Sequence, residues 1–249
     1  MTDDAKSETI YIAEAREKLL SAALFHVPFD GWSATSFKAA TADSGLDQSL
    51  VKAAAPRGAI DLAVAFHRAG DRDLKEEAEK LDLESLRYSE KVARLVRARI
   101  ELAAREREAV RRGVTLFSLP IYAAEGARLI WETADAIWTI LGDTSEDYNW
   151  YTKRAILSGV YSSTVLFWLG DDSEGSEATW RFLDRRIEDV MRFEKVKSAV
   201  KSNRLAQFAL IGPKAALSLV RAPGVRRGRL PVGLPGGGRF PFGRRERST

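Results

Sequence analysis

DGWSATSFKAATADSGLDQSLVKAAAPRG, residues 30–58, is the stretch whose reading decides the fold. Ser33 stands where it can cap a short helix over 34–43, because its side-chain oxygen can accept from a backbone N–H left unbonded in the first turn. Ser44-Gly45-Leu46-Asp47 makes a turn, Asp47 can cap a second short helix through about Ala54, and Pro56-Arg57-Gly58 closes it. Upstream, residues 8–26 place Ile12, Ala15, Leu19, Ala22, Ala23 and His26 on one helical face, and that helix is expected to stop before Pro28. Downstream, Ile60, Leu62, Ala63 and Phe66 mark a further helix. The first 70 residues therefore follow the plan of a helix-turn-helix, with the second short helix in the recognition position.

Outward from this stretch, apolar residues recur at three and four rather than at two, so the chain is expected to be all-α. Residues 73–118 form two long charged helices, with Leu86, Val92, Leu95, Val96, Ile100, Leu102 and Ala103 as the buried stripe. Pro120 restarts a helix to Leu141, Gly142 ends it, and Asp143-Thr144-Ser145 supply caps for a helix from about 146 to 169. Asp171-Asp172-Ser173 opens the helix 176–198, with acids early and Lys195 and Lys197 late, as the helix dipole favours. The uncharged run from Ala155 to Gly170 contains Ser158, Ser162, Ser163 and Thr164. It falls short of the roughly 20 residues that cross a bilayer and is expected as a core helix.

With 45% hydrophobic and 30% charged residues over 249, the chain can build a real core. The absence of Cys excludes disulfides, a thiolate nucleophile and Cys-ligated metal, and suits a reducing compartment. The formal charge of +4 averages two unlike parts. Residues 195–249 hold thirteen Lys and Arg against one Glu, or +12; the remainder, 1–194, holds 26 against 34, or −8. Over 199–221, Leu205, Phe208, Ile211 and Leu217 alternate with Lys201, Arg204 and Lys214 to give a basic amphipathic helix, bent at Gly212-Pro213, with no acid on its polar face. That pattern suits an anionic membrane surface, at roughly 1 kcal/mol per basic residue. Residues 222–249, with seven Gly, four Pro and seven Arg, are expected to be disordered.

Signals for catalysis or metal binding are weak. His26 and His67 are isolated and read as core or helix-end residues, and 143–147 imitates a calcium loop but has Tyr148 where a Gly is required. No catalytic residue, metal or cofactor is expected. The recognition-position helix offers one Lys52 beside Asp47 and alanines, a poor phosphate clamp, so no nucleic-acid partner is expected. The aromatics say more. Asp147, Trp150, Tyr151 and Arg154 fall at i, i+3, i+4 and i+7, so one helical face carries two large aromatics framed by an acid and a base. Such a face is either buried or a partner-binding hot spot. Tyr148, Ile156, Val160 and Tyr161 form a second face directed at the core. Trp131, Trp138, Phe167, Trp168 and Trp180 supply bulk either for core packing or for a lipid-sized cavity.

The block GDTSEDYNWYTKRAILSGVYSSTVLFWLGDDSEGSEATWRFLDRRIEDVMRF, with HVPFDGWS, FKAA, SGLD, PRGAIDLAVAFHRAGD and ADAIW before it, resembles the ubiquinone-biosynthesis accessory protein family, the ninth of the Coq proteins, over residues 10–198. The resemblance implies a TetR-like fold with a helix-turn-helix remnant (8–72), a larger helical lipid-binding and dimerisation domain (73–198), a membrane-binding amphipathic helix (199–221) and the Gly/Pro/Arg tail (222–249). It implies a homodimer, not itself an enzyme, that binds an isoprenoid quinone intermediate and presents it to the di-iron demethoxyubiquinone hydroxylase. Arg154, Trp131, Tyr161 and Trp168 are then expected to meet lipid. Ile137, Ile140, Asp147, Trp150 and Tyr151 are expected at the partner surface. Mitochondrial members begin with a transit peptide, which MTDDAKSE does not resemble, so a bacterial member is expected, cytoplasmic and peripheral to the inner membrane. A ligand-responsive TetR-like transcriptional regulator is the alternative from a different class.

Overall fold

The computed structural model describes residues 3–146 and 148–202, with side chains for 8–146 and 148–192, and over these residues it contains helices and no strand. In chain order they are α1 (Asp3–Asp30), α2 (Ala34–Ser44), α3 (Gln48–Ala54), α4 (Ala59–Ala78), α5 (Tyr88–Leu102), α6 (Arg107–Phe117), α7 (Ala123–Ile140), α8 (Tyr148–Leu169) and α9 (Glu177–Ser202), with 3₁₀ turns at Ala104–Glu106 and Glu174–Ser176.

The caps predicted from sequence form locally. Ser33 accepts from the N–H of Ser36 at 3.2 Å while Ser36 Oγ accepts from the N–H of Ser33 at 3.1 Å, a reciprocal capping box at the start of α2. Gly45 ends α2 at φ 59°, a left-handed conformation that a Cβ would strain. Asp47 caps α3 through the N–H of Ser49, and Arg16 from α1 donates to the Ala54 carbonyl at 2.7 Å, satisfying an acceptor at the far end of that helix.

Two expectations are corrected. The first helix does not stop before Pro28: Pro28 lies inside α1, which runs to Asp30. A proline is tolerated here because the helix ends within a turn, Gly31 N–H reaches the Val27 carbonyl at 2.8 Å, and Arg112 donates to the Pro28 carbonyl at 3.0 Å. Ending sooner would withdraw Val27, which is fully buried. Over 73–118, two long helices become the end of α4, then α5, a 3₁₀ turn and α6. The break lets Arg107 and Arg111 turn their guanidinium groups onto the carbonyls of Trp168, Leu169 and Asp171, at the C-terminal end of α8 where cations are favoured.

The buried side chains form two clusters. One gathers Leu19, Leu20, Ala23, Val27, Trp32, Val51 and Leu62 from α1–α4 and borrows Ala109 from α6. The other gathers Leu74, Val92, Leu95, Val96, Ile137, Trp138, Leu157, Val165, Trp168 and Leu183 from α4, α5, α7, α8 and α9. α4 is unbroken across residue 72 and contributes Leu62 to the first and Leu74 to the second, so one rigid helix joins them. α9 likewise carries on without a break through residues 199–202.

Candidate functional site

Two constructions share α7 and α8. The first is a cavity of about 270 Å³, walled by α4 (Ala63, Phe66, His67), α5 (Arg99, Ile100), α6 (Val110, Gly113, Val114, Phe117), α7 (Gly126, Leu129, Ile130) and α8 (Tyr161, Ser162, Val165, Leu166, Trp168), with Trp32 from the loop after α1. Its walls are mostly aliphatic and aromatic, and it is near the lower end of the usual ligand-pocket range of roughly 300–1,000 Å³. Leu166 and Ser118 on its wall are exposed and mark the mouth. Gly126 brings α7 close to α6 at this rim, since a Cβ there would lie 2.7 Å from Phe117 Cβ.

The buried end of the cavity is polar. Arg99, 5% exposed, donates from Nε to Asp71 at 2.8 Å and from Nη2 to the His67 carbonyl at 2.8 Å. Thr133 Oγ1 donates to Asp71 at 2.9 Å, and His67 Nε2 lies 2.8 Å from that hydroxyl. Because the Thr133 proton goes to the carboxylate, its oxygen accepts from the Nε2–H of His67. Burial and then the neighbouring Arg99 push His67 down to about 4, so the ring is neutral near pH 7. Burial also raises Tyr161 above the usual phenol range.

The second construction is an aromatic corner outside the cavity. Trp150 and Tyr151 meet edge to face at 4.8 Å, and Trp131 of α7 lies 5.9 Å from Trp150 and 6.4 Å from Tyr151. Beneath them Arg154, 3% exposed, lies 4.0 Å from the Trp150 ring, pairs with Asp135 and reaches Asp143 at 3.0 Å. Burial opposes the charge of Asp143, but hydrogen bonds from Lys153, Ser145 and Arg154 overcome it and hold the carboxyl down at about 2.

These positions can be set against the expected ones. Tyr161 and Trp168 wall the cavity, whereas Trp131 and Arg154 stand in the corner. Trp150 and Tyr151 are half-buried on one face, with Trp131 beside them. Ile137, placed by expectation on a partner surface, is fully enclosed in the core, because the α7 face that carries it turns inward with Ala134 and Trp138; Ile140 is half-buried. Tyr148, expected to enter the core, is 39% exposed. Asp147, Arg204, Leu205, Phe208, Ile211, Lys214 and Leu217 lie outside the described residues, and Lys201 is described only as backbone of α9. Sequence reasoning missed Phe66, His67 and Arg99. The available signals were an arginine inside the apolar stripe Val92, Leu95, Val96, Ile100 and the i, i+4 pair His67 and Asp71.

Comparison with known proteins follows this geometry. A solved TetR transcriptional regulator from Nitrosomonas europaea superposes with a TM-score of 0.58 at 18% identity, covering 70% of this chain and 95% of that one, so the fold is the TetR-like one expected. A family model described as COQ9 matches residues 123–194, which contain both α7 and α8. The mitochondrial ubiquinone biosynthesis protein COQ9 of Rattus norvegicus is 30% identical over 223 residues, 87% of this chain and 71% of that protein. COQ9-A of Xenopus laevis is 32% identical, with 87% and 70% covered, and the human protein 28%, with 87% and 70%. Identity of this level along nearly the whole chain, on a TetR-like fold, means that the chain belongs to the COQ9 family of ubiquinone biosynthesis proteins.

Proposed function

We propose that this protein serves ubiquinone biosynthesis as a lipid-binding accessory rather than as an enzyme: it takes an isoprenoid quinone intermediate into the cavity and presents it to the di-iron demethoxyubiquinone hydroxylase. The observation that carries this reading is the apolar cavity of about 270 Å³ with its mouth beside exposed Leu166. A polyprenyl tail prefers its membrane by about 0.8 kcal/mol per CH₂, so lifting it toward water is costly unless an apolar wall replaces the lipid. The partner surface is the aromatic corner of Trp131, Trp150 and Tyr151, large aromatics backed by a fixed Arg154, the composition of an interface hot spot. The protein works as a homodimer, peripheral to the cytoplasmic face of a bacterial inner membrane, with residues 199–221 as its anchor.

Lipid extraction and mass spectrometry of the purified protein test the reading. Prenylated quinone precursors should co-purify with the native chain and be depleted from Val165→Trp, in which a larger side chain fills the cavity. A native protein carrying no prenylated lipid rejects it. The helix-turn-helix and the TetR-like fold favour a second reading, a ligand-responsive transcriptional regulator. Sequence-specific DNA binding that survives about 200 mM salt would establish that alternative.

A further inference from the structure

α4 presents opposite faces to two different spaces. Ala63, Phe66 and His67 border the apolar cavity, whereas Asp61, Ala65, Arg68 and Arg72, at i, i+4, i+7 and i+11, fall on the other side of the helix. There a second cleft, of about 450 Å³, opens between α4, α1 and the start of α7. Arg16, Arg57, Arg68, Arg72 and Arg128 line it. Their acidic partners are Glu17, Asp61, Glu125 and Glu132, so one positive charge is left over on a body whose residues 1–194 sum to −8.

Most of these pairs are arranged front to back. The side chains of Asp61, Glu125 and Glu132 are 16–30% exposed, and those of the arginines they hold, Arg57, Arg68 and Arg128, are 45–71% exposed. An anion entering from solvent therefore meets guanidinium groups before carboxylates. The donors are also unevenly committed. Arg57 gives Nε, Nη1 and Nη2 to Asp61 and Glu125 and ties the start of α4 to α7. Arg68 and Arg128 share the single Glu132, Arg128 through Nε alone. Arg16 is fixed by Nε on the Ala54 carbonyl, and Arg72 reaches Glu17 through Nη2 at 3.3 Å. Among the described residues, Arg16, Arg72 and Arg128 thus each commit one nitrogen, and the rest of each fork faces a ligand. The cations lining the cleft are all arginines, whose planar forks match the paired oxygens of a phosphate. Bonds already in place hold these side chains, which lowers the ordering cost of binding.

We propose that this cleft binds the phosphate or diphosphate group of an ester, with Arg16, Arg72 and Arg128 supplying the forks and Arg57 and Arg68 bracing the walls. The site is separate from the cavity, because α4 stands between them, and it does not depend on what the cavity holds.

Calorimetric titration of the full chain with inorganic pyrophosphate and with succinate, at about 150 mM salt to screen the basic C-terminal region, tests it. Pyrophosphate should bind, and succinate should bind about tenfold more weakly, because its two single carboxylates make fewer bidentate contacts. Arg72→Gln and Arg128→Gln should each weaken pyrophosphate about tenfold, the difference one charged hydrogen bond makes. A tail variant combining Arg226→Gln, Arg227→Gln and Arg229→Gln should bind pyrophosphate as the native chain does. Should circular dichroism show the cleft variants unfolded, the pyrophosphate-to-succinate ratio in the tail variant decides alone. No binding by the native chain, equal binding of succinate, folded cleft variants that bind unchanged, or a loss confined to the tail variant overturns the site. Vesicles of phosphatidylcholine containing phosphatidic acid then identify the source of the phosphate. Displacement of pyrophosphate by them assigns the group to a lipid head, and retention of pyrophosphate assigns it to a soluble ester.

Discussion

Arg154 is the charge on which the corner between α7 and α8 turns. Its side chain is 3% exposed and that of Asp143 is 2% exposed, so removing Arg154 leaves a buried carboxylate held by Lys153 alone of its two cations. Arg154→Met, which removes a charged hydrogen bond to Asp143 while Lys153 stays, should therefore cost about 1.5–3 kcal/mol in urea unfolding. Arg154→Lys should rescue it only in part, because a single ammonium cannot serve Asp135 and Asp143 with the fork of a guanidinium. His67 governs a different property. Its folded value, about 4, lies below the unfolded 6.5, so the unfolded chain binds the proton more readily. The contribution of its neutral form is complete above pH 6.5 and fades as pH falls from there through 4, amounting to about 2 kcal/mol by pH 5. Urea midpoints at pH 7 and pH 5 should differ by less in His67→Gln than in the native chain; the same difference in both would exclude His67 as the source. Neither role was legible residue by residue. The sequence spacing set Arg154 on one face with Asp147, about two turns away, while its partners came from α7 and the following turn.

At the scale of elements, the helix-turn-helix was readable because its determinants are local. Ser33, Gly45 and Asp47 act on backbone groups within three residues of themselves. Ser33→Ala should cost about 1 kcal/mol, seen as a lowered midpoint in thermal unfolding. Gly70 in α4 obeys a different rule. By propensity alone Gly70→Ala should stabilise a helix interior by about 1 kcal/mol. Because the new Cβ would lie 2.5 Å from an Arg99 head fixed by Asp71 and the His67 carbonyl, overpacking should outweigh that gain and destabilise by about 1–3 kcal/mol net. A net gain in the urea midpoint would mean that the guanidinium moves aside freely. Pro28 shows the same dependence on context. Its usual role as a helix terminator gave way to the burial of Val27 and the hydrogen bond from Arg112.

For the whole molecule, the division of charge is the property to test. Under the proposed docking on an anionic membrane, the −8 of residues 1–194 and the +12 of residues 195–249 put the contact in the C-terminal region. Deleting residues 199–249 should abolish flotation with anionic liposomes and leave the remaining helices unfolding in one cooperative thermal transition. Trp150→Lys should lose capture of the hydroxylase while unfolding at a similar urea concentration; an unfolded variant would assign the corner to packing alone. By itself the sequence determined the helical class, the order of short and long helices, the turn chemistry and the two-aromatic face at Trp150 and Tyr151. Each depends on periodicity or on bonds between near neighbours. Only the tertiary structure decided that Ile137 lies inside, that Arg154 belongs to Asp143 and Asp135, and that five helices leave a cavity between them. It alone also brought His67, Asp71, Arg99 and Thr133 into one polar end, with Arg99 meeting Asp71 across 28 residues and His67 meeting Thr133 across 66. Periodicity says which face of a helix is apolar, but which faces meet, and where their packing leaves room, is set by the contacts between helices.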